Sequence, residues 1–187
     1  MNDQVQAELK KIFNGRFSTS ESTRANYARG EDTYDPVLSK AVVFPETNEE
    51  VSKILTLCNK HKIPVVPFGT GTSLEGNVVG NDKGITISLE KMNKILSVNA
   101  LDFDCRVQAC VTKEQLNEYL REDGVFFPID PGANAAIGGM ASTSASGTMA
   151  VKYGTMKTVI TGLTVVLPNG DIINTGSRTK KTSAGYN

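Results

Sequence analysis

A glycine-rich loop at residues 67–76, the glycine loop, constrains this chain more than any other feature. It follows the β-branched pair Val65-Val66, and its ten residues (Pro-Phe-Gly-Thr-Gly-Thr-Ser-Leu-Glu-Gly) hold three glycines, three hydroxyl side chains and no lysine. Such a loop turns backbone N–H groups outward with little side chain in the way. A row of outward N–H groups binds anions, so the sequence predicts a phosphate group pressed against the main chain.

Two familiar phosphate-binding motifs do not match this loop. A P-loop requires Lys and then Ser or Thr after its last glycine, whereas Gly76 is followed by Asn77 and Val78. A dinucleotide-binding Rossmann turn requires a third glycine where this chain has Leu74. An ordinary glycine-rich surface turn remains the alternative.

A second segment has almost no large side chains. Residues 131–141 are Pro-Gly-Ala-Asn-Ala-Ala-Ile-Gly-Gly-Met-Ala, residues 142–148 are Ser-Thr-Ser-Ala-Ser-Gly-Thr, and Tyr153-Gly154-Thr155 follow. A region without bulk allows a large flat ligand to lie close to the backbone. A flexible linker is the alternative. The apolar residues Ile137, Met140 and Met149, and the position between two strand-like segments, favour an ordered region.

Together, the two segments resemble the FAD-binding (PCMH-type) domain of the vanillyl-alcohol-oxidase flavoprotein superfamily. The glycine loop resembles that family's pyrophosphate loop, and residues 131–155 resemble its second cofactor-binding region. The resemblance is closer to the branch of D-lactate dehydrogenase (cytochrome) and the glycolate oxidase flavoprotein subunit. It extends from about Tyr34 to the last residue. Its motifs are Asp-Pro-Gly-Ala, Ile-Gly-Gly-Met-Ala, Lys-Tyr-Gly-Thr-Met, Val-Val-Leu-Pro-Asn-Gly and the tail Lys-Lys-Thr-Ser-Ala-Gly-Tyr-Asn.

The resemblance implies two groups of FAD-binding residues. The first group is Pro67, Phe68, Gly69, Thr70, Gly71, Thr72 and Ser73. The second group is Pro131, Gly132, Ala133, Gly138, Gly139, Thr143, Ser146, Gly147, Tyr153 and Val165. For Tyr153, a structural role with its hydroxyl bonded to the backbone is the alternative.

The single histidine bears on how FAD is held. Some relatives tether FAD through a histidine in the pyrophosphate loop, and this loop has none, so we expect non-covalent FAD. His61 lies at the end of a predicted helix and is expected to be a solvated helix C-terminal residue. We assign no catalytic acid or base and no metal ligand to this chain.

The expected fold class is α+β: a PCMH-type domain of two α+β subdomains with FAD held between them. Capping boxes at residues 47–50 and 112–115 predict helix starts. Residues 168–171 predict a hairpin turn, and the alternation of Ile85, Ile87 and Leu89 predicts a half-buried strand. We divide the chain into an N-terminal helix and irregular segment, residues 1–33, and an incomplete FAD-binding domain, residues 34–187.

The resemblance also implies the function. In the family, the segment that ends here at Asn187 continues into a further FAD-contacting strand and then a substrate-binding cap domain. We therefore expect a C-terminally truncated fragment that binds FAD weakly and does not turn over lactate. The full enzyme would oxidise a D-2-hydroxy acid, D-lactate foremost, passing hydride to flavin N5 and electrons to a cytochrome or quinone.

Two alternatives remain open at this stage. The first is another oxidoreductase of the same superfamily, of glycolate, 2-hydroxyglutarate, alditol, aldonolactone or alkyl-glycerone-phosphate type. The second is a flavin-free scaffold fragment, which keeps the fold without the cofactor. The retained loop glycines argue against the scaffold.

Charge and cysteine content exclude some partners. Lys plus Arg and Asp plus Glu are both 20, so the net charge is zero and predicts no nucleic-acid partner. No apolar run reaches membrane-spanning length. The three cysteines, Cys58, Cys105 and Cys110, have neither metal nor redox spacing, so we expect reduced thiols and a cytoplasmic location. An amphipathic N-terminal helix leaves peripheral membrane contact as an option.

Overall fold

A computed structural model describes residues 3–181 and 183 of the chain. Two compact units are present, and each is described by itself. Unit 1 comprises the described residues of Met1–Met92 together with Val166–Ile172. Unit 2 comprises Asn93–Val165 and the described residues of Ile173–Asn187. Both combine helices with short strands, as expected for an α+β fold.

Unit 1 is built on a four-stranded sheet with the order β1-β2-β4-β3. Strands β2, β4 and β3 are parallel, and β1 pairs antiparallel with β2. The elements of this unit are α1 (Asp3–Ile12), β1 (Phe17–Ser18), α2 (Glu21–Asn26), β2 (Val42–Val43), α3 (Asn48–Lys60), β3 (Val65–Phe68) and β4 (Ile85–Ser88).

Two helices supply much of the core of unit 1. The predicted N-terminal helix is confirmed, and its Val5 and Leu9 are fully buried because they are four residues apart on one face. Helix α3 begins where the capping box predicts, with Thr47 Oγ1 accepting a hydrogen bond from Glu50 N at 3.2 Å. The side chain of Glu50 pairs with Arg16, with two nitrogen–oxygen distances of 2.6 Å. These contacts place residues on both sides of position 33 in unit 1, and the proposed division there stays a prediction.

Strand β4 differs from its prediction as a half-buried strand. All four of its residues are buried, including the polar Thr86 and Ser88. The reason is its interior position, between β2 and β3, which buries both of its side-chain faces. Thr86 Oγ1 is satisfied there by a 2.8 Å hydrogen bond to Ser39 Oγ.

Unit 2 contains two small sheets and four short helices. Its elements are β5 (Ile95–Asn99), β6 (Asp104–Val107), α4 (Lys113–Leu120), α5 (Ile137–Ser142), α6 (Ala150–Tyr153), α7 (Met156–Val159), β7 (Gly162–Val166) and β8 (Ile172–Gly176), with 3₁₀ turns at Ala100–Asp102 and Arg121–Asp123. Strands β5 and β6 form one antiparallel pair, and β7 and β8 form the other sheet. The predicted hairpin turn between β7 and β8 is confirmed, and the turn itself belongs to unit 1.

Helix α4 begins at the predicted capping box, and its side chains differ in burial. Thr112 Oγ1 accepts from Gln115 N at 3.2 Å, and Gly124 ends the helical segment with φ +67°. Leu116 and Leu120, four residues apart, are buried, whereas Tyr119 is 59% exposed.

The segment rich in small residues is part of a packed core. Ala135 and Met140 are buried together with Ile129 and Met156. Residues within this segment form α5, and Ala145 N donates to Met140 O at 2.9 Å. Ordered packing of this kind excludes the flexible linker.

Part of the C-terminal motif lies outside the described residues. Of the tail at residues 180–187, only 180, 181 and 183 are described, so its predicted role stays a prediction. In the described part of the chain, no helix combines the length and the apolar character needed to cross a membrane.

Candidate functional site

The glycine loop starts at the carboxyl end of strand β3, where the parallel strands of unit 1 end. Phe68 aligns with Ser88 on β4, and Leu89 N donates to Phe68 O at 2.9 Å. The carboxyl ends of parallel strands form the edge at which open α/β sheets bind ligands. The loop therefore occupies a favourable position for a bound anion.

The loop has backbone donors to offer. Among residues 3–181 and 183, none accepts a hydrogen bond from the N–H of Gly69, Gly71, Thr72 or Ser73. Unpaired N–H groups in one turn are the donor set that a phosphate requires. This arrangement agrees with the outward row of N–H groups that the sequence predicts.

The hydroxyl groups of the loop are less available than expected. Thr70 Oγ1 and Thr72 Oγ1 are 3.4 Å apart and form a weak mutual contact. Ser73 Oγ accepts from Asn77 Nδ2 at 2.9 Å. The Ser73 hydroxyl therefore supports the loop as an acceptor, and its own O–H is a possible donor beside those of the main chain.

Gly71 lies over an aromatic side chain that forms the floor of the loop. Gly71 has φ +75°, and a Cβ there would lie 2.8 Å from Phe68 Cζ. Phe68 is buried and packs edge-on against Tyr27 at 5.0 Å between centroids, and Tyr27 also contacts Phe44 at 5.6 Å. Phe68, itself a motif residue, therefore supports the loop through its contact with Gly71.

Sequence reasoning missed a second support of the loop. Residues 28–39, the strap, lie against it, and Glu31 N donates to Gly71 O at 2.9 Å. Asp32 is only 7% exposed although it is a carboxylate. The sequence signal that could have revealed this support is the polar stretch that contains Gly30 and Asp32.

The two adjacent glycines of unit 2 have different surroundings. Gly138 N donates to Ala109 O at 2.8 Å, and a Cβ on Gly138 would lie 2.8 Å from Ala109 Cβ. A Cβ on Gly139 would meet nothing within 4 Å. Gly138 is therefore required for packing within unit 2, whereas Gly139 leaves its backbone accessible.

Asp130 organises the turn before α6. Its Oδ2 accepts from Thr148 Oγ1 at 2.7 Å, and its Oδ1 accepts from Met149 N at 3.1 Å. These hydrogen bonds, Thr148 first and Met149 second, lower the pKa of the Asp130 carboxyl. A Cβ on Gly147 would overlap the Asp130 carboxylate and carbonyl, so this glycine also serves close packing.

The remaining candidate residues of unit 2 are partly or fully exposed. Thr143 Oγ1 bonds back to Gly139 O at 3.1 Å, and Tyr153 packs edge-on against Phe126 at 5.5 Å. No described residue hydrogen-bonds to the Tyr153 hydroxyl, which disfavours the alternative of a backbone-bonded tyrosine. The other members of this group with some surface exposure are Pro131, Gly132, Ala133, Ser146 and Val165.

The structure thus gathers residues 67–73 in unit 1 and the second group of candidates in unit 2. His61 is the C-cap residue of α3, as expected for a helix C-terminal position. Within residues 3–181 and 183, no three His, Cys, Asp or Glu side chains come close enough to hold a metal ion.

The chain is similar to several curated flavoproteins. It is 41% identical over 182 residues to "D-lactate dehydrogenase [cytochrome], mitochondrial" of Arabidopsis thaliana, covering 96% of this chain and 32% of that protein. It is 45% identical to "Probable D-lactate dehydrogenase, mitochondrial" of Danio rerio, covering 91% and 35%. It is 34% identical to "Glycolate oxidase subunit GlcD" of Bacillus subtilis, covering 91% and 37%.

A solved structure supports the fold. The chain superimposes on alkyldihydroxyacetonephosphate synthase with a TM-score of 0.84 at 23% identity, covering 95% of this chain and 36% of that one. The chain spans about a third of the length of the curated relatives it matches. The PCMH-type α+β fold expected from the sequence is therefore confirmed.

The expected cytoplasmic location is wrong by these comparisons, because the two D-lactate dehydrogenases above are mitochondrial proteins by name. The prediction rested on cysteines without disulfide partners, and Cys58, Cys105 and Cys110 do form no disulfide in the structure. Reduced thiols indicate a reducing compartment, and the cytosol and the mitochondrial matrix share that property.

A family model settles the wider relationship. Residues 39–176 match the model described as an FAD binding domain. This match covers both the glycine loop and the second group of candidate residues, in the order the motifs require. The chain therefore belongs to the FAD-binding domain family of the vanillyl-alcohol-oxidase/PCMH flavoproteins.

Proposed function

We propose that this chain is the FAD-binding part of a flavin-dependent D-2-hydroxy-acid dehydrogenase acting on D-lactate. The observation that carries the proposal is the group of backbone N–H donors at Gly69, Gly71, Thr72 and Ser73, from which no residue that the structure describes accepts a hydrogen bond. FAD is the cofactor of the family, and its pyrophosphate carries the charge that such a row binds. The identity to two D-lactate dehydrogenases supports the substrate.

The glycine loop would bind the pyrophosphate through the main chain. Backbone amides carry partial positive charge and stay fixed, because the loop is held by Phe68 below and Glu31 at its side. Neutralisation by dipoles requires no lysine, which explains why a loop with none suits a non-covalently held dinucleotide. Ser73 would contribute through its N–H and its O–H, since the bond from Asn77 occupies only an acceptor position of the hydroxyl.

The second region would lie along the rest of the cofactor. Gly139 has no neighbour within 4 Å of its Cβ position, and the exposed Ser146 hydroxyl is a donor within the same segment. The Thr143 hydroxyl donates to Gly139 O and offers its oxygen as an acceptor. Tyr153 would present a hydroxyl that no described residue occupies. When bound, FAD supplies the hydride acceptor, and these residues orient and shield it.

The electron acceptor and the competing substrate follow from the names of the relatives. The Arabidopsis relative is a cytochrome-type enzyme, so we propose a cytochrome as acceptor, with a quinone as the alternative. The similarity to the glycolate oxidase subunit favours glycolate as the second candidate substrate. Both hydroxy acids place a C–H bond next to a carboxylate, so the same FAD half can serve either.

A chimera tests the proposal. The chain would replace the 182 aligned residues of the Arabidopsis relative. The purified chimera is expected to carry FAD and to reduce a dye acceptor or cytochrome c when D-lactate is added, with L-lactate as the stereochemical control. The unaltered relative provides the reference rate.

Each outcome has a definite meaning. D-lactate oxidation within about tenfold of the relative's rate supports the proposal, because a tenfold loss corresponds to only about 1.4 kcal/mol. A folded chimera that lacks flavin contradicts the proposed FAD site. A flavin-loaded chimera that oxidises glycolate faster than D-lactate shifts the substrate to the second candidate.

A further inference from the structure

The connection between β3 and β4 lacks the usual helix. Parallel strands are joined by a crossover, which in most proteins contains an α-helix that packs on the sheet. Here residues 69–84 make that crossover and contain no helix or strand. A crossover without its own regular structure needs support from another segment, and the strap, residues 28–39, lies against it.

The strap contacts the glycine loop through backbone atoms. Glu31 N donates to Gly71 O at 2.9 Å. A Cβ on Gly30 would lie 2.6 Å from Gly71 O and 2.9 Å from Ser73 O. Only glycine allows the strap to approach these two carbonyl groups so closely.

This contact sets the direction of the loop's N–H groups. In a trans peptide, the carbonyl of one residue and the N–H of the next point to opposite sides. Because the carbonyls of Gly71 and Ser73 face the strap, the N–H groups of Thr72 and Leu74 face away from it. The strap thereby holds donors of the candidate pyrophosphate site on the outer side of the loop.

A buried carboxylate shapes the strap itself. Asp32 is 7% exposed, with its Oδ2 accepting from Gly30 N at 3.1 Å and its Oδ1 accepting from Tyr34 N at 3.0 Å. The two bonds fix Gly30 against the loop on one side and Tyr34 on the other. A Cβ on Gly76 would lie 2.8 Å from the Tyr34 ring, so Tyr34 packs on the far end of the loop.

A second anchor holds the strap to the crossover. Ala28 O accepts from Val37 N at 3.2 Å and from Gly80 N at 2.9 Å. A Cβ on Gly80 would overlap Val37 O. The hydrogen bond between Val37 and Ala28 therefore joins the two ends of the strap, and the strap is attached to the crossover at both the glycine loop and Gly80.

We propose that the strap is a positioning element for FAD binding, with Asp32 and Gly30 as its positioning residues. All of the strap except its last residue lies before the match to the FAD-binding family model, which begins at residue 39. Neither residue needs to touch the cofactor, because each acts through the orientation of the Gly71 and Ser73 peptide groups. The inference rests on the proposed FAD site at the glycine loop.

The test compares four substitutions in the 187-residue chain: Asp32→Ala, Asp32→Asn, Gly30→Ala and the control Asp35→Ala. Asp35 is an exposed strap carboxylate, and none of the described residues forms a hydrogen bond or an ion pair with its side chain. FAD affinity is measured by quenching of flavin fluorescence. The amide resonances of Thr72 and Leu74 are followed by NMR in the flavin-free protein.

We expect a graded loss of FAD affinity across the strap variants. Asp32→Ala and Gly30→Ala are expected to weaken FAD binding about tenfold, and Asp32→Asn less, because an amide oxygen still accepts one of the two hydrogen bonds. The Thr72 and Leu74 resonances shift in the same order. Asp35→Ala leaves both measurements unchanged. A purely structural role would lower the melting temperature without changing the affinity of the folded protein.

Two results separate the possible failures. If Asp32→Ala and Gly30→Ala keep wild-type FAD affinity and unshifted Thr72 and Leu74 resonances, the strap proposal is overturned while the FAD site stands. If the wild-type chain binds no FAD, the proposed site fails. The resonances of the flavin-free variants then still test whether the strap orients the glycine loop. Shifts of Thr72 and Leu74 in the predicted order support that orientation, and unshifted resonances refute it.

Discussion

Unit 1 and unit 2 both contain a segment rich in small residues, but they use these residues differently. In the glycine loop, Gly71 adopts φ +75°, and the N–H groups of Gly69, Gly71, Thr72 and Ser73 have no acceptor among the described residues. In unit 2, Gly138 and Gly147 lie in close contact with Ala109 and Asp130. Glycines serve close packing in both segments, but only the glycine loop combines this packing with a group of N–H donors that no described residue accepts from.

The difference shows that a small residue alone does not mark a ligand contact. A missing side chain lets another molecule approach, and it equally lets the protein's own backbone approach. Gly132 and Gly139 differ from these glycines, because a Cβ at either position would meet nothing within 4 Å. The comparison therefore predicts different results for glycines that the sequence alone treats alike.

The largest expected effect is that of Gly71→Val on FAD affinity. Valine resists φ +75°, and its side chain would collide with the Phe68 ring that supports the loop. We expect FAD affinity to fall more than about 100-fold, about 2.7 kcal/mol. Gly15→Val is the matched control, because Gly15 in unit 1 has φ +76° and open surroundings. Equal flavin affinity in the two variants would remove the pyrophosphate from this loop.

An intermediate effect is expected for Gly138→Ala on the stability of unit 2. The new methyl group would press on Ala109, and overpacking of this kind costs about 1–3 kcal/mol. Gly139→Ala should leave stability unchanged or raise it, since alanine favours the helix that contains it. Urea unfolding measures both. Greater destabilisation by Gly139→Ala would contradict the assignment of Gly138 to packing.

The smallest expected effect is the contribution of Asp130 to acid stability. The folded-state pKa of Asp130 is lowered, so its contribution is present above the unfolded pKa of about 3.9 and is lost as the pH falls through the folded value. Unit 2 should therefore lose stability below about pH 4 more steeply in the wild type than in Asp130→Asn. Asp123→Asn, an exposed carboxylate in the same unit, is the control. Parallel pH profiles for all three proteins would exclude this role.

Local signals in the sequence predicted much of the fold. The caps at Thr47 and Thr112 and the hairpin turn before β8 each depend on a few adjacent residues, and each is found where expected. The burial of β4 was not predictable from its own residues. It depends on strand order, which brings β2 and β3 to its two edges.

The site was predictable in its motifs and not in its supports. The glycine spacing of residues 67–76 predicted outward N–H groups, and those of Gly69, Gly71, Thr72 and Ser73 have no acceptor among the described residues, while their role in FAD binding stays a prediction. The strap was missed because its contact with Gly71 joins residues 40 positions apart through a hydrogen bond from Glu31, and no local pattern encodes such a pair. Gly138 and Gly139 were likewise indistinguishable until the position of Ala109 was known.

The most direct test of the central claim is an NMR titration of the 187-residue chain with ADP, which carries a pyrophosphate, and with riboflavin, which carries no phosphate. The account predicts that ADP shifts the amide resonances of Gly69, Gly71, Thr72 and Ser73, whereas riboflavin leaves them in place. Resonances of the loop that respond to riboflavin alone, or to neither ligand while FAD binds elsewhere, would contradict the assignment of the glycine loop as the pyrophosphate site.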